Sequence, residues 1–257
     1  MIKILVIGDI IGKAGRTLVK NYLACHKKEF NLCIANGENA SGGVGLTPQT
    51  AQELFELGID VITSGNHIWD KKEIIPHLDN NEKILRPANY PPGVPGCGAC
   101  VAKTDNGISV GVINLSGRVF MPIVDCPFRK ALEEIALIKK HTSIIIVDFH
   151  AEATSEKVAM GRFLDGKVSA VIGTHTHVQT ADACVLPDRT AYITDVGMTG
   201  SIDSIIGVEA DIVLKRFLTG IPYRMKPSSG TGLLNAVIIQ VNEDGKAETI
   251  QSIREEC

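Results

Sequence analysis

Apolar residues fall along this chain in two alternating rhythms. Short, largely β-branched runs occupy Ile4–Ile7, Leu32–Ala35, Val61–Thr63, Val110–Ile113, Ile144–Val147, Ala170–Ile172 and Ala191–Ile193. Runs of this length and make-up without a polar alternation predict strands covered on both faces. Between them lie segments with apolar residues at helical spacing. Thr47 can cap a helix that opens at Pro48 and stops at Gly58, and Asp125 and Cys126-Pro127 stand before an apolar stripe at Phe128, Leu132, Ile135 and Ile138. A third helix is predicted from about Val208 to Leu218, with Gly220 as its stop. Leu233–Val241 and Ala247–Ile253 flank Asp244-Gly245 and predict a hairpin. The fold class is therefore α/β, a layered arrangement of mixed sheets flanked by helices and closed by an antiparallel C-terminal hairpin. The Pro- and Gly-rich stretch Pro87–Gly98 reads as a surface excursion, because strand signals resume on both sides of it. A single domain spanning 1–257 is expected.

Charge narrows the partners. A net charge of -3 without a Lys/Arg cluster lacks the electrostatic footprint of a duplex-binding or polybasic membrane-binding protein, so a small substrate is expected. The apolar run near Met1 is one strand long, far short of a membrane span of about 20 residues, which predicts a cytoplasmic protein. Seven cysteines, an odd number scattered over strands, helices and loops, argue against a disulfide framework. Cys97 and Cys100 form one CxxC in the Pro/Gly-rich excursion with no second pair to complete a zinc site, and read as two loop thiols.

The candidate chemistry sits at the strand ends. Gly8-Asp9 succeeds the first run, Asn36-Gly37-Glu38-Asn39 the second and Ser64-Gly65-Asn66-His67 the third. Asp148-Phe149-His150 and Gly173-Thr174-His175-Thr176-His177 succeed two later ones. Ligands of open α/β sheets bind beyond the strands' carboxyl ends, so five strands deliver metal-competent side chains to one region. A lone histidine there is usually a hydrogen-bonded loop residue, and Asp9 or Glu38 alone could be a cap or a solvated carboxylate. Together, imidazoles, carboxylates and carboxamides supply enough N and O donors for two borderline-hard cations. His26, His77 and His141 follow no strand and are read as surface residues.

Gly65-Asn66-His67 and Gly173-Thr174-His175-Thr176-His177, with Gly8-Asp9 before them and His150 between, resemble the calcineurin-like metallophosphoesterases. Gly37-Glu38-Asn39, His150-Ala151-Glu152-Ala153-Thr154-Ser155 and Thr194-Asp195-Val196-Gly197-Met198 are similar, more narrowly, to the YmdB-like bacterial phosphodiesterases. The chain departs from the wider superfamily at Ile11, where a histidine is usual, and at Glu38, where an aspartate is usual. The resemblance implies that one metal takes Asp9, Asn39 and His177, the other takes Asn66, His150 and His175, and Glu38 bridges them. It implies Fe or Mn, with Zn or Mg as alternatives, and His67 as the general acid. Two cations about 3.5–4 Å apart lower the pKa of a shared water, and the resulting bridging hydroxide is the expected nucleophile. The implied substrate is a small phosphodiester, a 2′,3′- or 3′,5′-cyclic nucleotide.

Other readings remain beside this one. Asp70 either orients His67 or caps a following helix; Trp69 and Tyr90 either stack on a base or pack; Arg86 and Arg118 are candidate phosphate contacts. Gly65 would leave room for the phosphate. A phosphomonoesterase or nucleotidase, or a metal-bound regulatory protein with vestigial turnover, is the alternative function, and a homo-oligomer stays open. Gly12-Lys13-Ala14 and Gly43-Val44-Gly45 fail as a Walker loop and a dinucleotide fingerprint, respectively.

Overall fold

The computed structural model describes residues 1–256. The first half runs β1 (Ile2–Ile7), β2 (Asp9–Ile10), α1 (Gly12–His26), β3 (Leu32–Asn36), α2 (Pro48–Glu56), β4 (Val61–Thr63), α3 (Ile75–Leu78), β5 (Ala99–Lys103), β6 (Ser109–Ser116) and α4 (Pro127–Ile138). There follow β7 (Ile145–His150), α5 (Thr154–Leu164), β8 (Ala170–Thr174), β9 (Cys184–Val185), β10 (Ala191–Ile193), β11 (Met198–Ser201), α6 (Ala210–Thr219), β12 (Gly232–Val241) and β13 (Ala247–Glu256). Every predicted strand is present, most of them longer than the apolar run that announced them.

These strands form two mixed sheets. One has the order β2-β11-β12-β1-β3-β4, with β13 paired to β12; the other has the order β5-β6-β7-β8-β10-β9. In the first, β1, β3 and β4 are parallel and β12 lies antiparallel to β1. In the second, β6, β7, β8 and β10 are parallel and carry antiparallel edges. Alternate side chains explain why the runs are apolar throughout. Ile4 and Val6 of β1 pack with Ile146 of β7 and Ile172 of β8 in one cluster between the sheets. Leu5 and Ile7 point the other way, onto Leu18, Val19 and Leu23 of α1 and Leu54 of α2. Ile145, Val147 and Phe149 of β7 meet Ile135 of α4 and Met160 and Leu164 of α5. The result is four layers, helix, sheet, sheet and helix, with the central strands burying side chains on both faces and the edge strands β9 and β13 largely exposed.

Local signals act as expected at the helix ends. The Thr47 side chain accepts a hydrogen bond from the Thr50 amide, and Gly220 closes α6 with φ of 69°. Before α4 the cap position is Cys126, whose side chain makes no capping bond, so Pro127 at the first turn starts that helix unaided. Among the described residues, no helix is long and apolar enough to cross a membrane.

Candidate metal centre

The parallel strands of both sheets end at one place, and the predicted residues meet there. Asp9 lies just beyond β1, Glu38 and Asn39 beyond β3, and Asn66 and His67 beyond β4; His150 ends β7, while His175 and His177 follow β8. One sheet thus brings the carboxylates and carboxamides, and the other brings three imidazoles. His150 Nε2 is 3.0 Å from Glu38 Oε1, 3.2 Å from Asn66 Oδ1 and 3.0 Å from His175 Nδ1. On the other side of Glu38, the Asn39 amide lies 3.3 Å from Glu38 Oε1 and 3.3 Å from His177 Nε2, which is itself 4.0 Å from Asp9 Oδ1. Glu38 is common to both groups.

Hydrogen bonds set which ring nitrogen faces the cluster. Thr174 Oγ1 donates to Asp148 Oδ1 at 2.7 Å, so it accepts from His150 Nδ1 at 2.9 Å and leaves Nε2 for the cluster. His177 Nδ1 donates to the Ile206 carbonyl at 2.9 Å, again freeing Nε2. His175 is turned the other way: its Nε2 meets Glu152 Oε2 at 3.2 Å and its Nδ1 faces His150. The backbone is bent to achieve this, with φ of 101° at His175 and 67° at His177. Left-handed conformations at non-glycine residues carry strain and cluster at functional sites.

The loop that bears these histidines is pinned from below by a buried ion pair. Lys157 Nζ of α5 lies 2.6 Å from Asp195 Oδ2, and both side chains are almost fully buried. The same Asp195 oxygen accepts from the Thr176 amide and hydroxyl at 3.0 and 2.8 Å, and Oδ1 accepts from the Gly197 amide.

Electrostatics mark the cluster as a place that draws positive charge. Burial pushes the Asp9 carboxyl up, and the neighbouring histidines only partly counter it. Burial also works against the Glu38 carboxylate, but the charge of His150 and the backbone hydrogen bond from His67 outweigh it and hold it at about 2. His150, opposed by burial, is pushed up to about 9 by Glu38, Asp9 and Asp148. Burial, followed by the charge of His150, pulls His175 down to about 3, so that ring stays neutral. Burial raises Asp148 to about 6 against the hydrogen bond from Thr63.

A metal ion fits these residues on a direct observation. Asp9 Oδ1 is buried and has no hydrogen-bond partner, although it points at the imidazoles of His150 and His177. A buried carboxylate oxygen left unpaired costs free energy unless a cation or donor completes it. Glu38, His150 and His175 also bring one ligand atom each within 4.8 Å of one another, the spacing of a shared ion.

A Cβ at Gly65 would lie 2.1 Å from His150 Cδ2 and 2.5 Å from Glu38 Oε2, so the glycine makes room for the cluster's own side chains. His67 stands at the rim. Its amide donates to Glu38 Oε2 at 3.0 Å, and its Nδ1 lies 2.7 Å from Asp70 Oδ2, which makes Asp70 its orienting partner.

A cavity of about 430 Å³ opens onto Glu38, Asn39, His67, His175 and His177; Asp9 and His150 are fully buried. A larger cavity of about 570 Å³ lies between the Pro-rich excursion and α4, and none of the convergent residues line it. Arg86 belongs to that second place. Its guanidinium donates to the carbonyls of Pro95 and Pro87, which makes it a clamp on the excursion and not a phosphate contact. Trp69 and Tyr90 pack edge to face at 5.4 Å, and neither lines the smaller cavity. Cys97 and Cys100 are free thiols, and His77 and His141 are exposed.

Residues 5–253 match the family described as YmdB-like protein. The chain belongs to the YmdB-like family. A curated relative, the 2′,3′-cyclic-nucleotide 2′-phosphodiesterase of Bacillus subtilis, is 50% identical over 246 residues, 95% of this chain and 93% of the relative. A hypothetical protein from Thermus thermophilus has the same fold with a TM-score of 0.93 and 42% identity, covering 99% of both chains. A phosphatase from Mycoplasma pneumoniae matches with a TM-score of 0.91 and 36% identity over 99% of this chain and 93% of its own. This YmdB-like chain is accordingly a phosphoric ester hydrolase. Asp148, Glu152 and Asp195 stand in motifs legible from sequence but had no role assigned there, and Lys157 stands in none of them; only the fold reveals what each one holds.

Proposed function

We propose that the chain is a dinuclear metal phosphodiesterase acting on small phosphodiesters, 2′,3′-cyclic nucleotides foremost. The observation that carries this reading is the unpartnered, buried Oδ1 of Asp9, one of seven converging ligand residues. Asp9, Asn39 and His177 would hold one cation, Asn66, His150 and His175 the other, and Glu38, common to both groups, would bridge. Two cations bound there supply Lewis acidity toward the phosphoryl oxygens and a water of lowered pKa, and Fe or Mn suits this mixed N/O donor set.

The chain's own groups do the rest. Asp70 accepts from His67 Nδ1, which leaves Nε2 as the ring atom at the cavity rim able to hand over a proton. In hydrolysis of a 2′,3′-cyclic nucleotide, water gives up one proton to solvent and its oxygen forms the new bond to phosphorus as the P–O2′ bond breaks. The ring proton passes to O2′, and the product is a 3′-monophosphate. A sugar alkoxide is a poor leaving group, so this proton matters most for a natural diester. The 50% identity to a 2′,3′-cyclic-nucleotide 2′-phosphodiesterase supports the substrate class.

Incubating Mn- or Fe-loaded protein with 2′,3′- and 3′,5′-cyclic AMP, AMP and nitrophenyl esters tests the reading, with Glu38→Gln as the blank. Cleavage of 2′,3′-cyclic AMP is expected. Rapid cleavage of AMP with no diester cleaved would move the assignment to a monoesterase.

A further inference from the structure

Beside the polar cluster, the 430 Å³ cavity has an apolar lining that includes Val44, Ile206, Val208, Met225 and Pro227. Ile206 sits in an unfavourable place. Ile205 and Val208 exchange both backbone hydrogen bonds, at 2.9 and 3.0 Å, around a two-residue turn. Ile206 and Gly207 at its centre have φ of 48° and 94°, the pattern of a type I′ turn. Asn, Asp and Gly are the usual residues at the first central position, because a β-branched side chain there clashes with its own backbone. Burial does not offset this strain, since Ile206 is 51% exposed. Its carbonyl orients His177, but any residue would provide a carbonyl. What only isoleucine adds is an apolar surface facing the cavity.

We propose that Ile206, with Val44, Val208, Met225 and Pro227, forms the subsite that receives the heterocyclic base of a nucleotide whose phosphate lies at the polar cluster. This rests on the cyclic-nucleotide reading above. A planar base is the occupant that suits this lining: it has an extended apolar face, and it is joined by a sugar to a phosphate that needs the polar residues of the same cavity. The turn thereby does two jobs, fixing a ligand histidine through its backbone and reading the substrate through its side chain.

The test is calorimetric binding of adenosine 3′-monophosphate and of inorganic phosphate to the metal-loaded protein, in wild type, Ile206→Asn and Ile206→Gly. Metal content is measured alongside. The ratio of nucleotide to phosphate affinity is expected to fall about tenfold in both variants, the scale of a lost apolar contact in a pocket. Ile206→Asn should also unfold at a higher temperature than wild type, since Asn suits the turn. An unchanged affinity ratio overturns the proposal. So does a wild-type protein that binds the nucleotide no more tightly than phosphate, or a fall in bound metal that accounts for the whole effect. If wild type hydrolysed no cyclic nucleotide, the functional reading would fall, while the affinity ratio would still decide the base subsite.

Discussion

His67 and Gly65 stand two positions apart on one loop and act by opposite means, one through a proton and the other through the lack of a side chain. His67 touches the cluster only through its backbone amide, so His67→Ala is expected to keep the bound metal and lose roughly 10²–10⁴-fold in rate on a diester with a sugar leaving group. The loss should shrink on a nitrophenyl diester, whose leaving group needs little protonation. Steady-state rates on the two substrates, with elemental analysis, check this; equal losses would remove the acid role. Gly65→Ala should do the reverse. Its Cβ would lie 2.1 Å from the His150 ring, so the ring must move. A loss of about 1–3 kcal/mol of stability, as for other overpacked sites, is expected together with weaker metal binding, read by thermal unfolding and metal titration. The motif made Gly65 legible, but the neighbour it makes room for came from the other sheet and was not.

Among the elements, α5 shows how a helix can hide from its own periodicity. Its buried positions are Glu156, Lys157, Met160, Gly161 and Leu164, so two charged residues face inward where apolar ones are expected. Glu156 accepts from the Arg118 amide and Lys157 pairs with Asp195, which ties the helix to loops on either side of the centre. Lys157→Met is expected to leave the Asp195 charge unpaired in a dry site. The cost is about 3–5 kcal/mol, or roughly 10 °C in the unfolding midpoint, and metal affinity should fall about 10–100-fold as the His175–His177 loop loosens. Scanning calorimetry and metal titration on the same variant check both; a stable variant with loose metal would mean that Asp195 is completed by other donors. α1 was obscured for another reason, since Gly12 and Gly15 in its first turns suggest a phosphate loop. Strand β11, Met198–Ser201, contains a glycine and two hydroxyl residues, and is a strand only because β2 and β12 pair with it.

Across the whole molecule, the centre is a joint between two sheets. Asp9, Glu38, Asn39 and Asn66 come from one and His150, His175 and His177 from the other, so a cation held among them ties the sheets together. Adding Mn at a hundredfold excess over its dissociation constant is expected to raise stability by about 2.7 kcal/mol per site, and a chelator should reverse the shift. Glu38→Gln should lose most of that response, because Glu38 is the residue shared by both groups. Thermal unfolding with and without metal checks the prediction, and a midpoint indifferent to metal would contradict it.

Sequence alone determined the long apolar strands and the polar residues at their ends, though not β2, β5, β9 or β11. Fully buried strands need continuous apolar runs, and the carboxylates, carboxamides and imidazoles beyond them stand out against that background. It also determined the hairpin and the caps, which depend on neighbours within a few residues. The tertiary structure decided the rest: which strands make up each of the two sheets, that four of the seven donors come from one and three from the other, and that Lys157 and Asp195, 38 positions apart, form a pair. It decided as well which nitrogen of each histidine faces the cluster, because that depends on Thr174, Ile206 and Glu152. A local pattern records what a residue needs on its own element, whereas pairing across layers is set by packing that no single stretch of chain contains.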